Sequence, residues 1–144
     1  MKKKIFVGLL SFILCTSVVY AAANFNIGSH VKVVDNTSPG SNIELAFFED
    51  EECSVPLSFV EWGTMTRNTS QTIDPMFYVK NTGTVNAVID CTTSDLVSSQ
   101  FVLEFTIDDT TLSPGESTKV SGKLIVKPSA PLGDKDFTIV VSGE

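Results

Sequence analysis

Histidine is almost absent from this sequence, because His30 is the only one among 144 residues. A lone imidazole cannot build the two- or three-histidine zinc sites of metalloenzymes. The sequence also lacks a G-x-S-x-G motif, a cysteine beside a histidine and a glycine-rich phosphate loop. These absences argue against zinc hydrolysis, serine or cysteine nucleophiles and nucleotide binding. We therefore expect a protein that is not an enzyme and has no cofactor.

Basic residues are also scarce, with 10 Lys and Arg against 17 Asp and Glu. Three of the ten are Lys2, Lys3 and Lys4, which belong to a segment that we expect to be removed. The remaining chain would carry 7 basic and 17 acidic residues, a formal net charge of −10. Binding to nucleic acid depends on neutralising phosphates with Lys and Arg. This charge therefore argues against nucleic acid as a partner, and equally against anionic lipid.

Long hydrophobic runs are limited to one, from Ile5 to Ala23, which follows the basic head. A basic head, an apolar middle and small residues at the end are typical of a secretory signal peptide. Ala21 and Ala23 supply the A-x-A pattern, so we predict a signal peptide over residues 1–23, with cleavage after Ala23 or after Ala21. An uncleaved membrane anchor is the alternative, because about 20 apolar residues can span a bilayer. In both cases the rest of the chain is exported, either secreted or held at the cell surface.

Cysteine is rare, and only Cys53 and Cys91 lie outside the apolar run. An even pair in an exported chain favours a disulfide. The alternative is two buried free thiols that pack as small apolar side chains.

Helical periodicity is missing after residue 23, whereas strict alternation of apolar and polar residues recurs throughout. Eight segments alternate in this way or nearly so: residues 30–34, 43–48, 57–62, 76–80, 85–91, 101–108, 120–127 and 137–142. Short, evenly spaced strands separated by polar turns favour a β-sandwich over a closed barrel. We therefore predict an all-β protein, an antiparallel sandwich of seven or eight strands over residues 42–144, preceded by an N-terminal strand or arm over residues 24–41.

Turn residues agree with this pattern. Ser113-Pro114-Gly115-Glu116 has Pro and Gly where a type II turn needs them. Residues 127–133, with two prolines, cannot continue a strand ladder and are predicted to cross between strands. The segment Phe77–Cys91 is predicted to be a hairpin that turns at residues 81–84. Its inward side chains would be Phe77, Val79, Val85, Ala87, Ile89 and Cys91, and its outward ones Tyr78, Lys80, Asn86 and Asp90.

Five motifs in order carry a resemblance to a known family. They are EDEECS at residues 49–54, VEWG at 60–63, FYVKNTG at 77–83, LSPGE at 112–116, and PLG at 131–133 followed by DFTI at 136–139. The series resembles the small secreted immunoglobulin-like β-sandwich proteins of archaea over about residues 42–144. The resemblance implies an exported single sandwich with no established chemistry. The chain departs from the pattern at residues 64–70, where the family often has a glycine.

Carboxylates cluster in the acidic turn, which we define as Glu49, Asp50, Glu51 and Glu52. Carboxylate oxygens could hold Ca²⁺, which takes six to eight oxygen ligands. The turn lacks the D-x-D-x-D-G spacing of a calcium loop, so an acidic turn exposed to solvent is the favoured interpretation. Asp108 with Asp109, and Asp134 with Asp136, could supply paired carboxylates for glycoside chemistry, but acids that cap turns explain them equally well.

Aromatic residues and glycosylation motifs suggest two further sites. Trp62, Phe47, Phe48, Phe59 and Tyr78 could form a platform for sugar, although core packing is the favoured role of Trp62. Asn36 and Asn68 each begin an N-x-[ST] motif, which makes both candidates for glycosylation in an exported chain.

These observations favour a non-enzymatic structural or interaction module outside the cell, with a protein or glycan partner or another copy of itself. One alternative is a module that binds carbohydrate or depends on Ca²⁺. Another is a fibre or matrix subunit in which residues 24–34 leave their own sandwich and complete a neighbour's sheet. A looser likeness to the donor-strand matrix fibre subunits of bacterial and archaeal biofilms agrees with this second alternative.

Overall fold

A computed structural model describes residues 42–144 and, in addition, the backbone of residues 25–33. The described strands are β1 (Phe25–Val33), β2 (Leu45–Phe48), β3 (Phe59–Met65), β4 (Thr69–Asn81), β5 (Ala87–Ser94), β6 (Phe101–Ile107), β7 (Thr111–Leu112), β8 (Ser117–Val126) and β9 (Lys135–Gly143). The described residues form no helix, and so none that could cross a membrane. The predicted signal peptide and Asn36 lie outside the described residues.

The strands form two sheets, which confirms the predicted all-β sandwich. The five-stranded sheet has the order β3-β1-β9-β5-β7, and the four-stranded sheet has the order β2-β4-β8-β6. Every ladder among the described strands is antiparallel except the one between β1 and β9, which is parallel. The N-terminal arm therefore contributes a strand to the interior of a sheet, next to the last strand of the chain.

The core lies between the sheets and is filled by apolar side chains that the strands turn inward. The fully buried side chains include Trp62, Phe77, Val79, Leu112, Val120, Leu124, Val126, Ile139 and Val141. Burying one such side chain stabilises a fold by about 1.5–3 kcal/mol. On β6 only Phe101 is buried, while Leu103, Phe105 and Ile107 are half-buried, because β6 is an edge strand with one neighbour.

Strand β4 is longer than the sequence predicts, since it begins at Thr69 rather than Met76. Its first half, Thr69–Thr72, is polar and exposed, so no buried face marks it as a strand. This half pairs with β8, and the register then shifts between Ile73 and Phe77, where a bulge contains the cis Asp74–Pro75 bond. The bulge turns Asp74 toward the outer face of the four-stranded sheet, where its carboxylate lies within 3.2 Å of the Lys119 ammonium.

The hairpin predicted for residues 77–91 is wrong. Its two strands, β4 and β5, belong to different sheets, so the turn joins the sheets instead of pairing neighbours. Val85 is 43% exposed instead of inward, whereas the other predicted inward residues of the segment are buried. The period of two identifies which residues face inward, but it does not identify the sheet to which a strand belongs.

Asn81 explains how the chain crosses between the sheets. Its side chain is fully buried, and its Nδ2 donates to the carbonyl oxygens of Val85 (2.7 Å) and Leu112 (2.9 Å). Its Oδ1 accepts from the Gly83 N–H at 3.0 Å. The amide therefore holds the crossing segment and β7 together inside the core.

Two predicted turns are confirmed. Gly115 has a φ of +86°, and the Glu116 N–H donates to the Ser113 carbonyl at 3.0 Å, as a type II turn requires. Residues 127–134 carry the chain from β8 in one sheet to β9 in the other.

Candidate functional site

The acidic turn joins β2 to β3, and Asp50 organises it. Its carboxylate accepts hydrogen bonds from the Ser54 N–H (3.0 Å), the Ser54 hydroxyl (2.6 Å) and the Val55 N–H (2.7 Å). These bonds, that of the Ser54 hydroxyl first, hold the pKa of Asp50 below its ordinary value. Asp50 is thus engaged by its own turn, while the side chains of Glu49, Glu51 and Glu52 are exposed.

Calcium binding at the acidic turn gains no support from this geometry. Among the described residues, no group of three or more His, Cys, Asp or Glu side chains lies close enough together to hold a metal ion. Binding of Ca²⁺ there stays the less favoured alternative.

The predicted Cys53–Cys91 disulfide is not formed, and both residues are free thiols. Cys53 lies in the β2–β3 turn, where its Sγ contacts the Glu51 carbonyl at 3.7 Å. Cys91 points into the core from β5, in the five-stranded sheet, and burial raises the pKa of its thiol to about 12. An inward position for Cys91 was predicted correctly, whereas Cys53 lies in a surface turn and not in the core.

A cluster of charged residues lies on the outer face of the four-stranded sheet. The Lys119 ammonium on β8 is 3.2 Å from a carboxylate oxygen of Asp74 on β4 and 3.5 Å from one of Asp108, which follows β6. Asp74 also accepts a hydrogen bond from the Ser121 hydroxyl at 2.6 Å. The Ser121 bond first, and Lys119 second, lower the pKa of Asp74, while the bond to Asp74 raises the pKa of Lys119.

A shallow depression of about 270 Å³ adjoins this cluster. It is lined by Glu51, Tyr78, Asp108, Asp109, Ser117, Thr118 and Lys119. Its walls thus combine one aromatic ring with carboxylates, hydroxyls and an ammonium, which suits a polar ligand such as a sugar. We call it the Tyr78 depression.

The four aspartates considered for glycoside chemistry do not form one site. Asp108 is paired with Lys119, and the Oδ1 of Asp109 accepts from the Thr111 N–H at 2.9 Å, so Asp109 caps a turn. Asp136 lines a different cavity, of about 220 Å³, between the loop before β6 and the start of β9. Asp134 is exposed in the loop before β9.

The proposed aromatic platform is divided among three places. Trp62 is 1% exposed and belongs to the core, and Phe47 packs edge-on against the buried Phe77 with ring centroids 5.9 Å apart. Phe59 is 39% exposed on β3, in the five-stranded sheet. Phe48 and Tyr78 are paired in register on the four-stranded sheet and are both half-buried. Of this pair, Tyr78 lines the Tyr78 depression.

Asn68 is exposed in the tight turn between β3 and β4, with a φ of 60°. Asn adopts this left-handed conformation more readily than most residues. The side chain is accessible to a glycosylating enzyme, and its occupancy stays a prediction.

Sequence reasoning missed Asn81 and the Lys119 cluster. A buried asparagine looks like a turn residue in the sequence, and the cluster depends on a bulge at Asp74–Pro75 that alternation does not reveal. The proline itself was the one available signal, because proline within a strand commonly marks a bulge or an edge.

No family model matches the sequence, and no curated protein is significantly similar to it. The resemblance to archaeal immunoglobulin-like proteins therefore stays a prediction, and no family is assigned.

Proposed function

We propose that this protein is an exported, non-enzymatic module with a structural or interaction role at the cell surface or outside the cell. The immunoglobulin-like character of the sandwich and an archaeal origin belong to the same proposal. The partner would be a protein, a glycan or another copy of the chain.

One observation carries this proposal: the chemically capable side chains are spread over separate turns and are engaged in holding those turns. Asp50 binds the β2–β3 turn, Asp109 caps the segment before β7, and Asp108 is neutralised by Lys119. The space between the sheets is occupied by apolar side chains. Such a layout supports a role based on shape and surface.

Cell fractionation tests the proposed location. We expect the tagged full chain to be recovered outside the cytoplasm with Asn24 as its first residue, because residues 1–23 resemble a signal peptide. The matched control lacks residues 2–23 and should stay in the cytoplasm. Recovery of the intact chain, with its leader uncut, in the cytoplasm would overturn the proposal.

The Tyr78 depression favours a second candidate function, the binding of a carbohydrate. Its single aromatic ring beside carboxylates and hydroxyls is a suitable surface for a sugar ring. A glycan array with the wild-type protein and a Tyr78→Ala variant tests this, and Phe59→Ala, on the other sheet, is the matched control. Binding that Tyr78→Ala abolishes and Phe59→Ala retains would support a carbohydrate-binding module, and no binding at all would exclude it.

A further inference from the structure

Strand β1 is held in the molecule differently from the other described strands. It lies between β3 and β9, with six residue pairs to β3 and seven to β9. The ladder to β9 is parallel, and parallel pairing is slightly less stable per residue than antiparallel pairing. The ladder to β3 is interrupted by a register shift between Ile27 and Gly28. This interior strand is therefore held by one parallel ladder and by one ladder with an interruption.

Strand β1 can also leave the sheet without unthreading the rest of the chain. With the predicted cleavage after Ala23, only Asn24 precedes it. Residues 34–44 join it to β2, which belongs to the other sheet. Eleven residues span up to about 36–40 Å when extended, whereas a nine-residue strand is about 30 Å long. The connection is therefore long enough to carry β1 onto a neighbouring molecule.

Withdrawal of β1 would leave a specific vacancy. Among the described strands, β1 is the only ladder neighbour of β3, so the slot would be bounded by β3 on one side and β9 on the other. The side chains flanking it include Val60 and Trp62 on β3 and Phe137 and Ile139 on β9, all now buried. Such an apolar slot requires an extended strand, and β1 of a second copy has the sequence that fits it in the same register.

We propose, building on the extracellular structural role above, that β1 of one copy fills the β3–β9 slot of the next copy. Each copy then donates one strand and accepts one. Because donor and acceptor surfaces differ, the contact is head-to-tail, and repetition gives an open chain unless the rotation closes a ring. The ladder contacts are the same within one molecule and between two, so the connecting segment and the protein concentration decide which form dominates.

Cysteine cross-linking between two distinguishable copies tests the exchange. One copy carries Lys32→Cys and the other carries Val140→Cys, both in a Cys53→Ser background. Residues 32 and 140 are partners in the parallel ladder, and Val140 is half-buried between the inward residues 139 and 141. After the two copies are unfolded, mixed and refolded, oxidation should give a disulfide-linked species of twice the monomer mass.

The matched control replaces Val140→Cys with Ser142→Cys. Residue 142 is two positions further along β9, beyond the Cα separation of about 7 Å that a disulfide can bridge from residue 32, so this mixture should give no disulfide-linked dimer even when the strands exchange. A single chain with both Lys32→Cys and Val140→Cys reports the competing closed form. If every molecule of that chain forms the disulfide internally and the mixture of the two copies gives no disulfide-linked dimer, the exchange is overturned.

A second measurement uses the unmodified mature protein, in case the cysteine variants fold poorly. A fluorescent peptide of residues 24–34 should enter the slot during refolding and co-elute with the protein, and a peptide with Val31→Pro should not, because proline cannot donate to a ladder. Failure of the first peptide to bind would overturn the exchange. A protein that is exported but strictly monomeric refutes only the exchange, whereas one that polymerises but stays in the cytoplasm refutes only the proposed function.

Discussion

Asn81 is a polar residue whose burial stabilises the junction between the sheets. Replacing it with alanine removes three hydrogen bonds and leaves the Val85 and Leu112 carbonyls without its amide. At about 1 kcal/mol for each bond, we expect the free energy of unfolding to fall by about 2–3 kcal/mol. Chemical denaturation measures this, with the exposed Asn86→Ala as control. Equal losses in the two variants would contradict the role assigned to Asn81.

Gly83 is required for a close approach of two backbone segments. A Cβ at this position would lie 2.0 Å from the Asn42 carbonyl oxygen and 2.7 Å from the Glu44 nitrogen. The Asn42 carbonyl oxygen accepts a hydrogen bond from the Thr84 N–H, and the Glu44 carbonyl oxygen accepts one from the Thr82 N–H, so this backbone segment cannot move aside easily. We expect Gly83→Ala to cost about 2–3 kcal/mol of stability, as overpacking does elsewhere. The exposed side chain of Thr84 offers the control, and a Thr84→Ala variant should unfold at the wild-type denaturant concentration.

The two thiols differ in accessibility. Cys91 is buried with a pKa of about 12, so its reactive thiolate is scarce at pH 8. Cys53 is in a surface turn. A thiol reagent at pH 8 should therefore label one cysteine of the native mature protein and two in denaturant. A Cys53→Ser variant should label only when unfolded, and resistance of the native wild type to labelling would instead indicate a disulfide.

At the scale of elements, the Lys119 cluster (Lys119, Asp74, Asp108 and Ser121) connects β4, β8 and the end of β6. The pKa of Asp74 is held below its ordinary value of 3.8, so its contribution to stability is full above that pH. This contribution is lost as the pH falls through the lowered value. The pKa of Lys119 is raised above its ordinary value of 10.5, so its contribution is lost only at pH values above 10.5.

Acid titration of stability tests this link. We expect the Tm of the wild type to fall more between pH 5 and pH 2 than the Tm of an Asp74→Asn variant, which has no carboxylate to protonate there. Glu104→Gln, an exposed position on β6, is the control and should follow the wild type. Parallel curves for Asp74→Asn and the wild type would show that the ion pair contributes nothing, as is common for exposed pairs.

The positions of strands could be predicted from the sequence where one face of the strand is apolar. Which strands pair with one another could not be predicted. Residues 101–107, 120–126 and 137–141 alternate strictly, and β6, β8 and β9 are found there. Thr69–Thr72 form a strand with both faces polar, and Thr111–Leu112 form one of two residues, so neither gives a pattern. A loop of five residues such as 82–86 can either close a hairpin or connect two sheets. The buried Asn81 side chain favours the connection between sheets, but a polar residue at this position does not look like a core residue in the sequence. Among the site residues, Asp50 was recognised in the sequence as part of an acidic cluster. Its role in organising the turn was not predicted, because that role depends on hydrogen bonds from Ser54 and Val55.

Without residues 1–23, the predicted signal peptide, the chain has a formal net charge of −10, which opposes contact between copies. If assembly proceeds by strand exchange, salt should promote it, because the Debye length falls from about 30 Å at 0.01 M to about 8 Å at 0.15 M. Sedimentation velocity at these two salt concentrations should find a larger polymer fraction at the higher one. A polymer fraction that decreases with salt would mean that attraction between opposite charges drives assembly, and would contradict an exchange driven by strand pairing.

The parallel arrangement of the first and last strands gives the domain two dissimilar poles. Phe25 lies at the pole where β9 begins, whereas Val33 pairs with Val141, close to Glu144, at the other pole. A fluorescent reporter fused after Glu144 would therefore crowd the exit of the segment that joins β1 to β2. A small dye on an exposed loop side chain at the opposite pole, such as Ser99, would follow the protein without obstructing that exit.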